Sequence, residues 1–222
     1  DRQTGEQTTL TAEQLYPNPV LRADIIVQDE HKIGYMVYNS FDAAYDDDLL
    51  DSLRKFKEAG ITDMVLDLRY NGGGHVISSK MLATCIAGEN CREKVFQYYR
   101  YNDDRMADPT KTQKQTGNTY DQGKELFYEN FSYGDYYGVD LTQYALDLQR
   151  LYVLTTGSTA SSSEAVINGL RGIDIDVTLI GEKTNGKNVG MEIDKFDEGD
   201  YSYELAPITF QGYNAKEETV DP

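Results

Sequence analysis

Apolar and polar positions follow each other along much of the chain with two periods, one typical of strands and one typical of helices. Strand-like patterns lie at residues 32–38, 64–69, 95–101, 151–155 and 177–180. Apolar residues recur at helical spacing in residues 49–56, 75–87 and 161–171. Because strands and helices alternate in this way, the pattern predicts an α/β fold with a mainly parallel βαβ core.

The last part of the chain has a different pattern. Residues 191–196 and 201–205 are strand-like and flank an acidic, glycine-containing turn at 197–200, which predicts an antiparallel hairpin. Residues 208–210 can add a further strand. We therefore expect a C-terminal antiparallel β extension packed on the core.

Two segments carry no clear period. Residues 102–149 are polar and rich in tyrosine and glycine. A stretch of this length without structure is unusual inside a compact domain, so we expect an insertion with some structure of its own, serving as a lid or a binding segment. Residues 1–30 are expected to be a short lead-in, which leaves 31–222 as one core domain.

The chain is strongly acidic. It has 222 residues, of which 39% are hydrophobic, and a formal net charge of −17. This length can bury a proper core, whereas the excess negative charge makes nucleic acid and anionic membrane surfaces poor partners. No apolar run approaches the roughly 18 residues of a spanning helix, so no membrane-spanning segment is expected in this chain. Nothing in the sequence indicates the oligomeric state.

Cys85 and Cys91 are the only cysteines. A turn at Gly88 can bring the two sulfur atoms together as a disulfide, which would indicate an oxidising compartment outside the cytoplasm. Two free thiols are an equal alternative. Two cysteines and two distant histidines are too few convergent ligands for a zinc site, so no metal is expected.

Three segments combine residue types that can perform acyl transfer. A strand runs into three glycines at 72–74, where backbone N–H groups can turn toward a ligand or a developing oxyanion, or can simply form a tight turn. Ser161 precedes a helical stretch in a Ser-x-x-Glu pattern, which is also an ordinary capping box. Lys187 follows the strand-like residues 177–180. If the strands before Ser161 and Lys187 pair, both side chains meet at one sheet end, where a desolvated neutral lysine can activate the serine.

A histidine-based mechanism is the competing hypothesis for the same serine. His75 directly follows the glycines and can form a triad with Ser161 if an acidic side chain, such as Asp67 or Glu164, orients the imidazole ring. The alternative is that His75 only begins a helix near the entrance of the site.

Taken together, the three segments resemble the motifs of the carboxyl-terminal processing, or tail-specific, serine proteases. In that family, Asp-Leu-Arg-x-Asn-x-Gly-Gly precedes Thr-Ala-Ser-x-Ser-Glu, which precedes Gly-Glu-x-Thr-x-Gly-Lys. The present chain has DLRYNGGG at 67–74, TASSSE at 159–164 and GEKTNGK at 181–187. The resemblance covers roughly 34–210 and is strong at the three motifs.

The resemblance implies a role for each matching residue. Ser161 would be the nucleophile, Lys187 the general base, and the backbone N–H groups of Gly73 and Ser162 the oxyanion hole. Gly74 and His75 are candidates for contacting substrate. Family members often carry a glutamine four residues after the lysine, but this chain has Met191 there. We therefore expect the lysine amine to be positioned by something else.

The predicted function is a serine endopeptidase core that uses a Ser-Lys dyad and needs no metal or organic cofactor. By resemblance, its partner is a polypeptide substrate that is unfolded or flexible, cleaved near the C-terminus, outside the cytoplasm. The peptide-binding PDZ module that often precedes this core in the family is not expected within these residues. The alternative function is a non-catalytic domain on the same fold that binds a peptide, a glycan or a small ligand.

Overall fold

The computed structural model describes residues 9, 11–12 and 17–220, and these residues form two sheets, two small hairpins and five helices. The helices are α1 (Asp46–Ala59), α2 (Val76–Ala87), α3 (Asp103–Ala107), α4 (Pro109–Thr116) and α5 (Ser162–Gly172). The strands are β1 (Val20–Gln28), β2 (His31–Tyr38), β3 (Asp63–Asp67), β4 (Val95–Tyr101), β5 (Thr119–Asp121), β6 (Leu126–Asn130), β7 (Asp135–Tyr136), β8 (Val139–Asp140), β9 (Arg150–Thr155), β10 (Asp176–Gly181), β11 (Val189–Met191), β12 (Asp194–Glu198), β13 (Tyr201–Leu205) and β14 (Ile208–Tyr213). Within this described part of the chain, no helix is long and apolar enough to cross a membrane.

The first sheet is the predicted parallel core. Its five strands have the order β1-β2-β3-β9-β10, with β2, β3, β9 and β10 parallel and β1 antiparallel at the edge. The apolar residues that marked these strands in the sequence are fully buried in the core, among them Met36, Met64, Leu66, Leu151 and Val153. Helix α1 buries the stripe Leu49, Leu53 and Phe56, and α2 packs against α5.

The second sheet is antiparallel throughout, with the order β11-β14-β4-β6-β5. The α/β fold class is therefore confirmed, but β4 does not continue the parallel sheet. It pairs with β14 on one side and β6 on the other. Its side chains Phe96, Tyr98, Tyr99 and Tyr101 are all buried, and such a run looks the same in a parallel and an antiparallel sheet.

The end of the chain contributes to both the second sheet and a separate hairpin. Strands β12 and β13 form the predicted antiparallel hairpin, and every residue of both strands is exposed. Strands β11 and β14 instead join β4 in the second sheet. The segment 102–149 contains α3, α4 and β5–β8, of which β5 and β6 extend that sheet.

Part of the expected lead-in belongs to the first sheet. Strand β1 lies within residues 1–30 and pairs with β2 over most of its length. Its side chains are mostly exposed, so its alternation of polar and apolar residues gives a weak signal. Residues 1–8, 10 and 13–16 of that segment lie outside the described residues.

Both cysteines are buried free thiols. Burial raises the pKa of the Cys85 thiol far above its ordinary value, and burial likewise raises the pKa of Cys91 to about 12. Cys91 Sγ donates a hydrogen bond to Gly88 O at 3.1 Å. Of the two alternatives that the sequence leaves open, the structure has the free thiols.

The buried thiols should resist alkylation. Because the thiolate is the reactive form and burial disfavours it, iodoacetamide at about pH 8 should modify neither Cys85 nor Cys91 in the folded protein. After unfolding in urea without reductant, both should react, as intact-mass measurement would detect. If neither cysteine reacts after unfolding and the intact mass is two hydrogens lower than that of the dithiol form, the cysteines form a disulfide and the free-thiol assignment is wrong.

Candidate active site

Three loops meet at one edge of the first sheet. They follow the carboxyl ends of β3, β9 and β10, which are neighbouring parallel strands. The first loop carries the glycines at 72–74, the second carries Ser161 and the third carries Lys187. The sequence-based prediction that the serine and lysine loops meet at one sheet end is confirmed by this strand pairing. Such edges are where open α/β sheets bind ligands.

Ser161 differs from the two serines that follow it. It is half-buried at the N-cap of α5 with φ +56°, a backbone conformation that is uncommon outside glycine and characteristic of strained functional turns. The hydroxyl of Ser162 donates to Gly74 O at 2.8 Å, and that of Ser163 donates to Asn71 O at 2.9 Å. Within the described residues, Ser161 Oγ donates no such bond, so its proton is the one available for transfer.

Glu164 connects the serine loop to the lysine loop. Its side chain is only 1% exposed, and its carboxylate accepts three backbone N–H groups. Oε2 accepts from Ser161 and from Lys187, both at 2.9 Å, while Oε1 accepts from Gly186 at 2.6 Å. The Ser161–Glu164 bond is part of the predicted capping box. The two further bonds, which the capping pattern does not indicate, fix Lys187 next to the start of α5.

The Lys187 side chain is half-buried beside the same cavities as Ser161. No hydrogen bond joins Ser161 Oγ directly to Lys187 Nζ within the part of the chain that the structure describes. Catalytic hydrogen bonds are often long or unformed in proteins without substrate, and they shorten in the substrate complex. Met191, four residues after Lys187, lies in β11 and lines the larger cavity.

The glycine loop touches the serine. Gly73 has φ +105°, and a Cβ placed on it would lie 2.7 Å from Ser161 Cβ and 3.0 Å from Ser162 N. Only glycine fits such a contact. Of the two predicted oxyanion donors, Gly73 N–H is bonded to Asn71 Oδ1 at 2.9 Å. Ser162 N–H, in the first turn of α5, has no hydrogen-bond partner among the described residues.

Asn71 connects several segments around the site. The sequence indicated this residue only as one position of the matching DLRYNGGG motif. It is fully buried, and its Nδ2 donates to Tyr38 O at 2.9 Å while its Oδ1 accepts from Gly73. Its own carbonyl accepts Ala160 N–H at 3.1 Å. Asn71 therefore holds the glycine loop, the end of β2 and the serine loop in one arrangement.

His75 is not oriented by either acidic residue that the triad hypothesis requires. Its Nδ1 accepts Ala43 N–H at 3.1 Å. Burial raises the pKa of Asp67, but hydrogen bonds from Arg69, the shortest at 2.7 Å, outweigh it and hold that pKa below its ordinary value. Glu164 is committed to backbone N–H groups. The geometry therefore favours the Ser-Lys pair over the His75 triad.

A large cavity opens from this edge. It has a volume of about 690 Å³, and Ser161, Lys187, Gly74 and His75 all lie on its wall. A smaller pocket of about 40 Å³ is also lined by Ser161 and Lys187. The larger cavity can hold several residues of an extended polypeptide beside the serine hydroxyl.

Residues 32–221 match the sequence profile of peptidase family S41. The chain belongs to this family. A solved structure from Bacteroides fragilis NCTC 9343, assigned as an S41 protease, is 31% identical, with a TM-score of 0.73 over 93% of this chain and 49% of that one. No curated protein sequence matches significantly.

More distant structures share the fold of this S41 chain. The photosystem II D1 C-terminal processing protease is 17% identical, with a TM-score of 0.61 over 94% of this chain and 47% of that one. A lipoprotein from Streptococcus agalactiae is 16% identical, with a TM-score of 0.56 over 90% of this chain and 61% of that one. The S41 chain thus spans about half the length of the first structures that it matches. The predicted family and fold class are confirmed, while the roles of individual residues stay predictions.

Proposed function

We propose that this S41 chain is the catalytic core of a serine endopeptidase in which Ser161 is the nucleophile and Lys187 the general base. The observation that carries the proposal is the Glu164 carboxylate, one oxygen of which accepts both the Ser161 and the Lys187 backbone N–H. This oxygen holds the two residues side by side at the wall of a cavity that can accept a peptide. Family membership supports peptide-bond hydrolysis as the reaction.

The chemistry requires four proton transfers by the same amine, two as the ester forms and two as it is hydrolysed. Neutral Lys187 Nζ accepts the Ser161 hydroxyl proton as Oγ bonds to the scissile carbonyl carbon, forming a tetrahedral oxyanion. When the C–N bond breaks, the Lys187 ammonium returns that proton to the leaving amine, which leaves an ester on Ser161. Water then attacks the ester with Lys187 as base, and the released Oγ regains a proton. No metal or organic cofactor takes part in these steps.

The oxyanion would be stabilised by the backbone N–H groups of Ser162 and Gly73. Ser162 N–H is available in the first turn of α5, where the positive end of the helix dipole adds to the stabilisation. Gly73 N–H would be shared between the oxyanion and Asn71 Oδ1, since that bond exists without substrate. Gly74 and His75, on the wall of the larger cavity, would contact the substrate.

The proposed substrate is an unfolded or flexible polypeptide, cleaved near its C-terminus. An extended chain can lie along the larger cavity, whereas a folded surface cannot bring a peptide bond to a half-buried hydroxyl. The preference for C-termini and a location outside the cytoplasm rest on the resemblance to tail-specific proteases. The cysteines add no support for that location because they are free thiols.

A side chain at Gly73 tests whether the glycine loop serves catalysis. Gly73→Val should lower turnover of a flexible polypeptide by roughly 10²-fold or more, which is the usual effect of losing one oxyanion donor. Its side chain would displace Ser161 and obstruct the oxyanion position. The measurement is the initial rate of peptide-bond cleavage, followed by product mass, beside a thermal unfolding curve.

The matched control is Gly72→Val, because an added Cβ at Gly72 meets no atom within 4 Å and that glycine has no positive φ. It should retain most of the activity. Unchanged turnover in a folded Gly73→Val protein would remove the loop from the mechanism. Binding of flexible peptides by the wild type without any cleavage would instead favour the alternative of a non-catalytic binding domain.

A further inference from the structure

The larger cavity contains an ion pair that has no part in the proposed Ser-Lys chemistry. Lys80 Nζ and Glu129 Oε2 lie 2.6 Å apart, and their side chains are 14% and 20% exposed. Both residues line the cavity that begins at Ser161 and a second one, of about 350 Å³, that continues beyond it. The pair therefore lies where the two spaces join, on the path of a polypeptide that extends away from the serine.

The remaining hydrogen-bonding capacity of this pair belongs to the lysine. The other Glu129 oxygen, Oε1, accepts the Tyr99 hydroxyl, so both carboxylate oxygens have a partner. A lysine ammonium has three N–H donors. Within the described residues, Lys80 uses one of them, on Glu129. Two donors of a largely buried cation remain for a group that enters the cavity.

A second ion pair, between Glu192 on the cavity wall and Arg105, has its main hydrogen-bonding groups already paired. Glu192 also lines the wall, but Arg105 binds its two carboxylate oxygens with two separate nitrogens, each at 2.6 Å. This is a bidentate Arg–carboxylate pair, in which both carboxylate oxygens and two guanidinium nitrogens are already engaged. Apart from the proposed base Lys187, Lys80 is therefore the lysine among the described residues of the cavity wall that can bind a further anionic group without breaking an existing contact.

Helix geometry gives the spacing between Lys80 and Val76, a residue that lines the same cavities as the nucleophile. Val76 begins α2 and lines both cavities beside Ser161. Lys80 lies four residues later on the same face of the helix, which corresponds to a rise of roughly 6 Å. An extended peptide advances about 3.3 Å per residue. A substrate group that reaches Lys80 is therefore expected about two residues from the scissile bond.

We propose that Lys80 binds a carboxylate of the polypeptide substrate about two residues from the bond that is cleaved. The inference rests on the proposed function because it takes a polypeptide as the occupant of the cavity. Either an acidic side chain or the C-terminal carboxylate supplies the same chemistry. Glu129 keeps Lys80 oriented through one contact, and the aromatic wall of the cavity limits the water that would otherwise screen the attraction.

The test compares flexible peptides that differ in one carboxylate. The first pair has Glu or Gln two residues from the cleaved bond, on either side, and the second pair ends in a carboxylate or an amide. We expect the wild type to cleave one carboxylate peptide about 10-fold better than its neutral partner in kcat/KM, as a charged hydrogen bond predicts. The pair that carries the preference identifies the source of the carboxylate.

Two variants decide the role of Lys80. Lys80→Met should bring that ratio close to one, while Glu129→Gln should increase it because Lys80 loses its competing anion. Lys55→Met, an exposed lysine on α1, is the matched control and should keep the wild-type ratio. If Lys80→Met does not fold, the double variant Lys80→Met/Glu129→Gln avoids a half-buried carboxylate without its cation. An unchanged ratio in a folded Lys80 variant would overturn the inference.

Binding measurements separate this inference from the proposed function. Fluorescence anisotropy of the same labelled peptides on Ser161→Ala protein should show the same carboxylate preference. Preferential binding without cleavage by the wild type would retain the Lys80 site and contradict the peptidase. Cleavage by the wild type with no preference in rate or binding would retain the peptidase and contradict the Lys80 site.

Discussion

Replacing Ser161 by alanine should lower the cleavage of a flexible polypeptide by roughly 10⁴-fold or more, the scale seen when a serine nucleophile is removed. No neighbouring hydroxyl can replace Ser161, since Ser162 and Ser163 donate their protons to backbone carbonyls. The measurement is the initial cleavage rate with the wild type and the variant at equal concentration. The free energy of unfolding should fall by only about 1 kcal/mol, the usual effect of replacing an N-cap serine by alanine, so loss of folding would not explain the loss of activity.

Ser163→Ala is the matched control, two positions along the same helix. It removes the bond to Asn71 O and should lower the free energy of unfolding by about 1 kcal/mol, the typical net value of one hydrogen bond. Its cleavage rate should stay within about 10-fold of the wild type, because Asn71 O still accepts Ala160 N–H. Equal losses of activity in the two variants would mean that the nucleophile within the triplet is wrongly assigned.

The part of the site that the sequence predicts is the part carried by local patterns. The strand before the glycines, the strand before the serine loop and the strand before Lys187 each have a clear apolar run. Parallel pairing of β3, β9 and β10 then brings the loops together, as parallel sheets do at their carboxyl edge. Local pattern and chain order were sufficient for this prediction.

Other parts of the site depend on contacts that no local pattern encodes. Glu164 is indicated as a cap for its own helix, yet its bonds to Gly186 and Lys187 cross 22 and 23 positions of the chain. The bond from Gly73 N–H to Asn71 Oδ1 depends on a side-chain rotamer fixed by burial. The placement of β4 in a second sheet depends on its pairing with β14, more than one hundred residues later.

Glu164 anchors the backbone of the lysine loop but does not contact the Lys187 amine, so it does not take the place of a glutamine at position 191. Met191 has no hydrogen-bond donor for the lysine amine, and its side chain lies on the cavity wall. The structure fixes the lysine through its backbone instead, with Lys187 N–H and Gly186 N–H on opposite oxygens of one buried carboxylate. Under the proposed mechanism, the Lys187 amine would approach Ser161 Oγ by side-chain rotation when substrate binds, because the bonds to Glu164 hold only the backbone.

Replacing Lys187 by arginine should lower the cleavage rate by roughly 10³-fold or more while it keeps the positive charge, the upper part of the range for loss of a general base. Only a neutral amine can accept the serine proton, and arginine does not deprotonate in proteins. The measurement is the initial cleavage rate of both proteins on one flexible peptide, at saturating and at low peptide concentration.

Two controls make the Lys187 result specific. Lys183→Arg, at an exposed lysine in the same loop, should leave the cleavage rate close to that of the wild type. His75→Ala should lower the rate only modestly, because its ring is held by Ala43 N–H and by neither acidic residue of the triad hypothesis. A loss in His75→Ala as deep as that in Ser161→Ala would favour a histidine base. Substantial activity in Lys187→Arg would exclude lysine as the base, since a permanently protonated side chain cannot take the proton from Ser161 Oγ.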